Sequence, residues 1–365
     1  MIFSRFDHFC MAEALRLAGK GLFTTHPNPA VGCVIADKEQ VLGQGWHEFC
    51  GGPHAETLAL NDAGAAANGS TAYVTLEPCS HHGHTPPCVE ALLQAGIARI
   101  VIAAMDPNPL VNGQGMERLR SAGLLVETGL MVAAAESLNA GFFKRMRDGV
   151  PWVRVKVATS LDGRTALRNG DSKWISSEAS RRDVQLWRAR SSAILTGIGT
   201  VLADDPSMDI RLEGCTRQAL RVVADSRWRL PPASRILADP ATVLIAGDQN
   251  LPIPKTLSDT GVKCLSLPVR DSKIELRALL SALARLEVNE VQVEAGAALC
   301  GALLNDGLVD EILIYQAPVL LGDGGPGPFA LGPLESMSKR THLRLLESVP
   351  IGEDLRLRLA LEKDP

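Results

Sequence analysis

The stretch 54–88 constrains this chain more than any other. It opens with His54-Ala55-Glu56 at the head of an alanine- and leucine-rich run, reaches Pro78-Cys79 and closes on Pro87-Cys88. One imidazole and two thiols suit a tetrahedral zinc whose fourth position stays open for water, whereas a closed structural site takes a fourth side chain. The fold must therefore bring His54, Cys79 and Cys88 to a single ion. Glu56, near the start of the predicted helix, is placed to face that water without ligating the metal and to carry its proton to a leaving group. The competing reading is a structural zinc that recruits His81, His82 or His84 from the loop between the cysteines.

At 365 residues the chain is long for one core, so two domains are expected. A hydrophobic fraction of 46% and a charged fraction of 21% are those of a globular protein. A net charge of -4 argues against a general polyanion binder, and 4% aromatics is thin material for base stacking. Eight scattered cysteines do not resemble a secreted disulfide framework, which points to a reducing, cytoplasmic setting. Neither a signal peptide nor a membrane span is read from the sequence.

Ser4 with Asp7 predicts a helix start, and Phe6, Phe9, Cys10, Ala14, Leu17 and Ala18 recur on one face until glycines at 19–21 end it. The proline-stiffened loop Thr25-His26-Pro27-Asn28-Pro29-Ala30 leads into a buried strand over 31–36, with 41–45 pairing back as a hairpin. After the His54 helix, a strand over 71–75 ends at Glu77-Pro78-Cys79. Cys88 opens the next helix, where unpaired amides favour a thiolate. A strand over 99–104, a helix over 113–122, a strand over 124–128 and one helix over 132–147 complete an alternation that predicts a sheet between helix layers.

Beyond a short break at 148–151, a strand over 152–159 carries Lys156 near its end, a position where lysines usually face solvent. Ser177 caps a helix bearing Arg181, Arg182, Arg188 and Arg190, whose plain reading is a basic solvated face. The strand over 193–196 opens into Gly197-Ile198-Gly199-Thr200-Val201-Leu202. Leu202 stands where the dinucleotide-binding fingerprint needs its third glycine, so a Rossmann domain is not expected. Strands over 220–224, 242–245 and 262–267 and a helix over 274–287 follow. Val291 to Leu299 reads as strand, glycine turn and helix, a geometry that holds a pyrophosphate or simply packs. A strand over 311–317, a mobile-looking glycine loop at 321–328 and alternating runs at 342–349 and 355–361 end the chain, the last two as an antiparallel pair.

His26-Pro27-Asn28-Pro29-Ala30-Val31-Gly32, His54-Ala55-Glu56 and Leu76-Glu77-Pro78-Cys79-Ser80-His81-His82-Gly83 with Thr85-Pro86-Pro87-Cys88 resemble the deaminase half of the bifunctional riboflavin-biosynthesis deaminase/reductases. The eight residues between Cys79 and Cys88 separate that half from other zinc nucleobase deaminases, whose cysteines lie closer. The likeness continues through Ser160-Leu161-Asp162-Gly163-Arg164-Thr165-Ala166, Ser172-Lys173-Trp174-Ile175-Ser176 and the run to Asp204-Asp205-Pro206.

The resemblance implies an α/β protein, with a cytidine-deaminase-like α/β/α sandwich over 1–148 and a dihydrofolate-reductase-like α/β domain over 151–365. It implies zinc-dependent deamination of 2,5-diamino-6-(5-phosphoribosylamino)pyrimidin-4(3H)-one. NADPH then reduces the ribosyl arm of 5-amino-6-(5-phosphoribosylamino)uracil to ribityl.

By the same resemblance, Asn28 and His47 contact the pyrimidine. His84 faces the substrate phosphate where relatives carry Lys or Arg, so substrate affinity is expected to weaken as pH rises from about 6 to 8. Lys156 and Glu294 orient the sugar or move its proton, and Arg188 and Arg211 hold the phosphate with Ser172 and Met208 nearby. Ala158, Trp174, Thr200, Asp204, Ser226 and the turn Gly296, Ala297, Ala298, Leu299, Cys300, Gly301 and Ala302 contact NADPH. Asp209 replaces a residue that is commonly Thr in relatives.

The family's habit implies a homo-oligomer acting on small molecules, with one zinc per chain, no nucleic acid and no membrane. Two alternatives compete: an RNA adenosine deaminase fused to an unrelated domain, disfavoured by the lack of a basic stretch at 20–90, and a zinc-stapled ligand sensor with a degenerate reductase fold, disfavoured by Glu56.

Overall fold

Capping chemistry starts the first element of the computed structural model, which describes residues 3–362 apart from 81–86, 110 and 216. The Ser4 hydroxyl accepts from Asp7 N at 3.0 Å and the Asp7 carboxylate from Ser4 N at 2.7 Å, a capping box at the head of α1 (Arg5–Gly19). The chain divides into two units, Met1–Gly149 and Val150–Pro365.

In the first unit α1 is followed by β1 (Gly32–Asp37), β2 (Gln40–Trp46), α2 (Ala55–Ala63), β3 (Thr71–Leu76), α3 (Cys88–Gln94), β4 (Arg99–Ala104), α4 (Gln114–Ser121), β5 (Leu125–Thr128), α5 (Val132–Leu138) and α6 (Ala140–Asp148). The sheet order is β2-β1-β3-β4-β5, with β1 antiparallel to both neighbours and β3, β4 and β5 parallel. Period two divides each strand between two cores. Cys33, Ile35, Val74 and Ile100 meet Ala55, Ala59 and Leu92 of α2 and α3, while Val34, Ala36, Tyr73 and Val101 meet Cys10, Ala14 and Phe142 of α1 and α6. The result is the expected α/β/α sandwich.

Two glycines bring α2 unusually close to the sheet. A Cβ at Gly43 would stand 2.4 Å from Ala59 O and one at Gly45 2.4 Å from Ala55 O, so only glycine admits this approach. The single helix expected over 132–147 is broken at Asn139, whose φ and ψ are -111° and 28°. Its buried side-chain amide accepts from Ala30 N and donates to Ala30 O, each at 2.8 Å. Two tertiary bonds to the Asn28 loop hold Asn139 out of helical geometry.

The second unit runs β6 (Trp152–Thr159), α7 (Glu178–Arg190), β7 (Ala193–Gly197), α8 (Ile198–Asp204), β8 (Leu220–Ala224), β9 (Val243–Asp248), α9 (Lys255–Ser258), β10 (Lys263–Leu267), β11 (Val269–Arg270), β12 (Lys273–Ile274), α10 (Leu276–Arg285), β13 (Glu290–Val293), α11 (Ala297–Asn305), β14 (Glu311–Gln316), β15 (Leu343–Ile351) and β16 (Asp354–Leu361). Its nine-stranded sheet is ordered β10-β9-β8-β7-β13-β6-β14-β16-β15, parallel from β10 to β14 and antiparallel over the last two strands. The helix expected from residue 274 begins at Leu276, because Ile274 pairs with Val269 in the β11–β12 hairpin and buries its side chain.

One sheet face carries the apolar core, with Val153, Val155, Leu195, Val291 and Val293 packed on Leu279, Leu283 and Leu303. The other is charged, and α7 packs on it. Fully buried Arg154 reaches Glu290 at 3.1 Å and Glu311 at 3.2 Å, and its guanidinium lies 4.6 Å from the Trp187 ring centre. Arg190 also pairs with Glu290, and Arg188 with Glu294, while exposed Arg182 pairs, among the described residues, only with Glu178. The solvated basic face expected of α7 is therefore confined largely to Arg182, because this sheet face offers buried carboxylates. The glycine loop at 321–328 is also less free than its composition suggests: Leu321 and Gly322 donate backbone N–H groups to Asp162, and Thr165 N donates to Pro326 O.

Candidate active sites

In the first unit β3 ends at Leu76, α3 starts at Cys88, and α2 has His54 as its N-cap. These three termini bring the ligand atoms of His54, Cys79 and Cys88 within 4.8 Å of one another. His54 Nδ1 lies 3.1 Å from Cys88 Sγ and 3.5 Å from Cys79 Sγ, and Cys88 N donates to Cys79 Sγ at 3.4 Å. Hydrogen bonding from the Cys88 thiol brings Cys79 down to about 4 against the effect of burial, and His54 adds to it. An imidazole beside a readily ionised thiol and a second thiol in one pocket fits zinc. His81, His82 and His84 lie outside the described residues, which also leaves the expected phosphate contact of His84 undescribed.

Glu56 is 3% exposed, in the first turn of α2, with His54, Cys79 and Cys88 as its electrostatic neighbours. Burial pushes its carboxyl up, opposed by His54. His47 is also buried. Its Nδ1 donates to Pro53 O at 3.0 Å, and desolvation holds the ring below its usual pKa. A neutral ring protonated at Nδ1 leaves Nε2 as acceptor, so Asn28 Nδ2 donates to it at 3.2 Å. Asn28 and His47 are thus one hydrogen-bonded pair, and the His47 ring meets His54 edge to face with centroids 5.5 Å apart.

One residue of consequence was not singled out from the sequence. Glu77 is buried, and its carboxylate accepts from the backbone amides of Asp106, Gly113, Gly115 and Met116 at 3.0 to 3.3 Å. It ties Pro78-Cys79 to the loop ahead of α4. Its place beside Cys79 was the available signal.

The second unit holds a cavity of about 1430 Å³ at the carboxyl ends of β6, β7, β8 and β13. Lys156, Ala158, Ser172, Trp174, Arg188, Thr200, Asp204, Met208, Arg211, Ser226, Glu294, Gly296, Ala297, Ala298, Leu299 and Ala302 all line it. Cys300 and Gly301 are not brought to it: Cys300 packs in the core and Gly301 presses against the Ala330 backbone. A cavity with Arg229, Arg270 and Lys273 in its lining and the Gly296 turn at the head of α11 fits a polyphosphate cofactor such as NADPH.

At one end Glu294 is gripped by Arg188, Nε to Oε1 at 2.7 Å and Nη2 to Oε2 at 2.8 Å, and by Gln292 Nε2 at 2.8 Å. Burial alone would raise the Glu294 carboxyl, but Arg188 outweighs it and holds the group at about 2. Burial lowers the Lys156 ammonium, with Glu294 opposing and Arg188 reinforcing. Gln292 of β13 lies two positions before Glu294, which follows the strand's last residue, and that period of two was the sequence signal for it.

Residues 4–104 match the family model of the cytidine and deoxycytidylate deaminase zinc-binding region, and residues 151–357 match that of the RibD C-terminal domain. The chain is 47% identical to the riboflavin biosynthesis protein RibD of Escherichia coli, over 97% of this chain and 99% of that protein. It is 41% identical to RibD of Bacillus amyloliquefaciens, over 98% and 97%. Among solved structures, Acinetobacter baumannii RibD superposes with a TM-score of 0.92 at 45% identity, covering 98% of this chain and 99% of that one. A diaminohydroxyphosphoribosylaminopyrimidine deaminase/5-amino-6-(5-phosphoribosylamino)uracil reductase from Thermotoga maritima superposes with a TM-score of 0.86 at 30% identity, with the same coverage. These full-length matches set aside the ligand-sensor alternative.

Proposed function

Because the chain belongs to the RibD family of bifunctional riboflavin-biosynthesis deaminase/reductases, we propose that residues 1–148 house the deaminase and residues 151–365 the reductase. The enzyme deaminates the phosphoribosylated diaminopyrimidinone and then reduces the ribosyl arm of the product. The observation that carries the residue assignment is the convergence of His54, Cys79 and Cys88 beside the buried carboxylate of Glu56.

Zinc bound by His54, Cys79 and Cys88 supplies a Lewis acid that makes water nucleophilic near neutral pH. Glu56 takes the proton of the attacking water and delivers it to the departing amine, which leaves as ammonia. Its apolar burial supports this exchange by keeping bulk water from the carboxyl. Asn28, oriented by neutral His47, reads the pyrimidine edge.

The reductase cavity would hold NADPH, which would supply the hydride that the sugar's C1 needs in its ring-open imine form. Lys156 delivers the matching proton, since its lowered ammonium pKa makes it the better acid. Glu294, kept ionised by Arg188, orients the sugar. Arg188 spends its donors on Glu294 and on Asp209 O, which leaves Arg211, 63% exposed at the cavity wall, to hold the phosphate.

The chain is also read as a cytoplasmic homo-oligomer. In line with this, its eight cysteines are all free thiols, and β15 ends the nine-stranded sheet with Leu343, Leu345 and Leu346 exposed, ready to pair with a second copy. Sedimentation of wild type and Leu345→Lys tests this, with a fall in mass expected for the variant. No helix among the described residues is long and apolar enough to cross a membrane.

Incubating the purified chain with the diaminopyrimidinone tests the whole assignment. Ammonia should appear and be suppressed by a chelator, and NADPH absorbance should fall only after deamination. Ammonia release that survives complete metal removal contradicts it.

A further inference from the structure

Ser207, Met208 and Arg211 line one wall of the reductase cavity, and the backbone of residues 207–211 is pinned from several directions. Ile210 N donates to Gln218 Oε1 at 2.8 Å and Gln218 Nε2 donates to Ile210 O at 3.0 Å. Arg211 N donates to Gln185 Oε1 at 2.8 Å, and Arg188 Nη1 donates to Asp209 O at 2.9 Å. Met208 holds a left-handed φ of 54° and is buried. With the main chain fixed, the Asp209 carboxylate is committed to its place: it accepts from the Ser207 hydroxyl and stands 3.8 Å from Arg211 Nε. Among the described residues Asp209 is the one ionic partner of Arg211.

We infer that Asp209 is a specificity-determining residue of the reductase, an internal competitor that engages Arg211 before substrate binds and must yield that guanidinium to the substrate's phosphate. The inference rests on the reading of Arg211 as the phosphate-holding residue. A phosphate brings more charge than a carboxylate and wins the guanidinium, but part of the attraction is already neutralised and Asp209 repels the incoming anion. The consequence is a weakened grip on substrate and quick release of the phosphorylated ribityl product. Both groups are partly solvated, so the effect is modest and falls as salt rises.

The test is steady-state reduction of 5-amino-6-(5-phosphoribosylamino)uracil by Asp209→Asn, Arg211→Gln and the double variant, with the dephosphorylated substrate as control. Asp209→Asn keeps an acceptor for Ser207 and should lower KM for the phosphorylated substrate by roughly two- to fivefold at low salt. It should leave KM for NADPH and for the dephosphorylated substrate alone. Arg211→Gln should raise KM for the phosphorylated substrate by about tenfold, and adding Asp209→Asn to it should recover less than about twofold. If Arg211→Gln raises KM while Asp209→Asn does not lower it, the role of Asp209 is wrong and the phosphate reading stands. If Arg211→Gln leaves KM unchanged, both fall.

Discussion

Arg188 clasps Glu294 through two parallel hydrogen bonds, 2.7 and 2.8 Å long, so the guanidinium that sequence likeness assigns to a phosphate already serves a buried carboxylate. Burial raises the Glu294 carboxyl, and Arg188, the largest of the opposing influences ahead of Lys156 and Gln292, holds it at about 2. Arg188→Ala should therefore lower reductase kcat by about a hundredfold and bring an acidic limb into the pH profile above pH 5, with deamination unaffected. An Arg188→Ala profile that merely scales down from wild type at every pH contradicts this role.

Acid stability follows from the same carboxylates. Glu294 and Glu311 both sit at about 2; burial opposes this, but is outweighed by Arg188 for the first and by Arg154 and Arg358 for the second. Folded values below the usual 4.5 mean that their contribution is complete above about pH 4.5 and is lost as pH falls toward about 2. The second unit should lose on the order of 3 kcal/mol per carboxylate across that window. Trp152, Trp174, Trp187 and Trp228 report on this unit, against Trp46 for the first. A urea midpoint by tryptophan fluorescence that does not fall from pH 5 to 3 would be inconsistent with these ion pairs.

Asn139→Ala removes both bonds to Ala30 and leaves two buried backbone groups unsatisfied. The expected cost is about 2 kcal/mol in the first unit, with a raised deaminase KM because Asn28 lies on the same loop. An unchanged KM would mean that the Asn28 loop is held without this amide.

Gly45→Ala places a methyl 2.4 Å from Ala55 O and must push α2 outward, carrying His54 and Glu56 with it. Lower zinc content and deaminase activity are expected, with reductase activity intact. Full zinc occupancy and activity in this variant would show that α2 can shift without moving its ligand.

Where structure follows from neighbours in the chain, the sequence was readable. The Ser4 capping box, the strands Arg99–Ala104 and Trp152–Thr159 and the Ser177 cap fall where local chemistry puts them. Boundaries failed where a distant partner overrides local preference, as at Asn139 and Ile274. The convergence of His54, Cys79 and Cys88 was legible because few other chemistries need that residue set at that spacing. Glu77 was not, since its four amide partners lie 29 to 39 residues away. The partners of Arg188 and Arg190 were hidden for the same reason: a helix pattern cannot reveal carboxylates on the strands beneath it.

Zinc content and ammonia release of Glu56→Ala, measured on one preparation, test the deaminase assignment most directly. Near-stoichiometric zinc should remain, ammonia release should fall by about a thousandfold, and NADPH oxidation with pre-deaminated substrate should continue. A Glu56→Ala enzyme that releases ammonia at the wild-type rate contradicts Glu56 as the proton carrier.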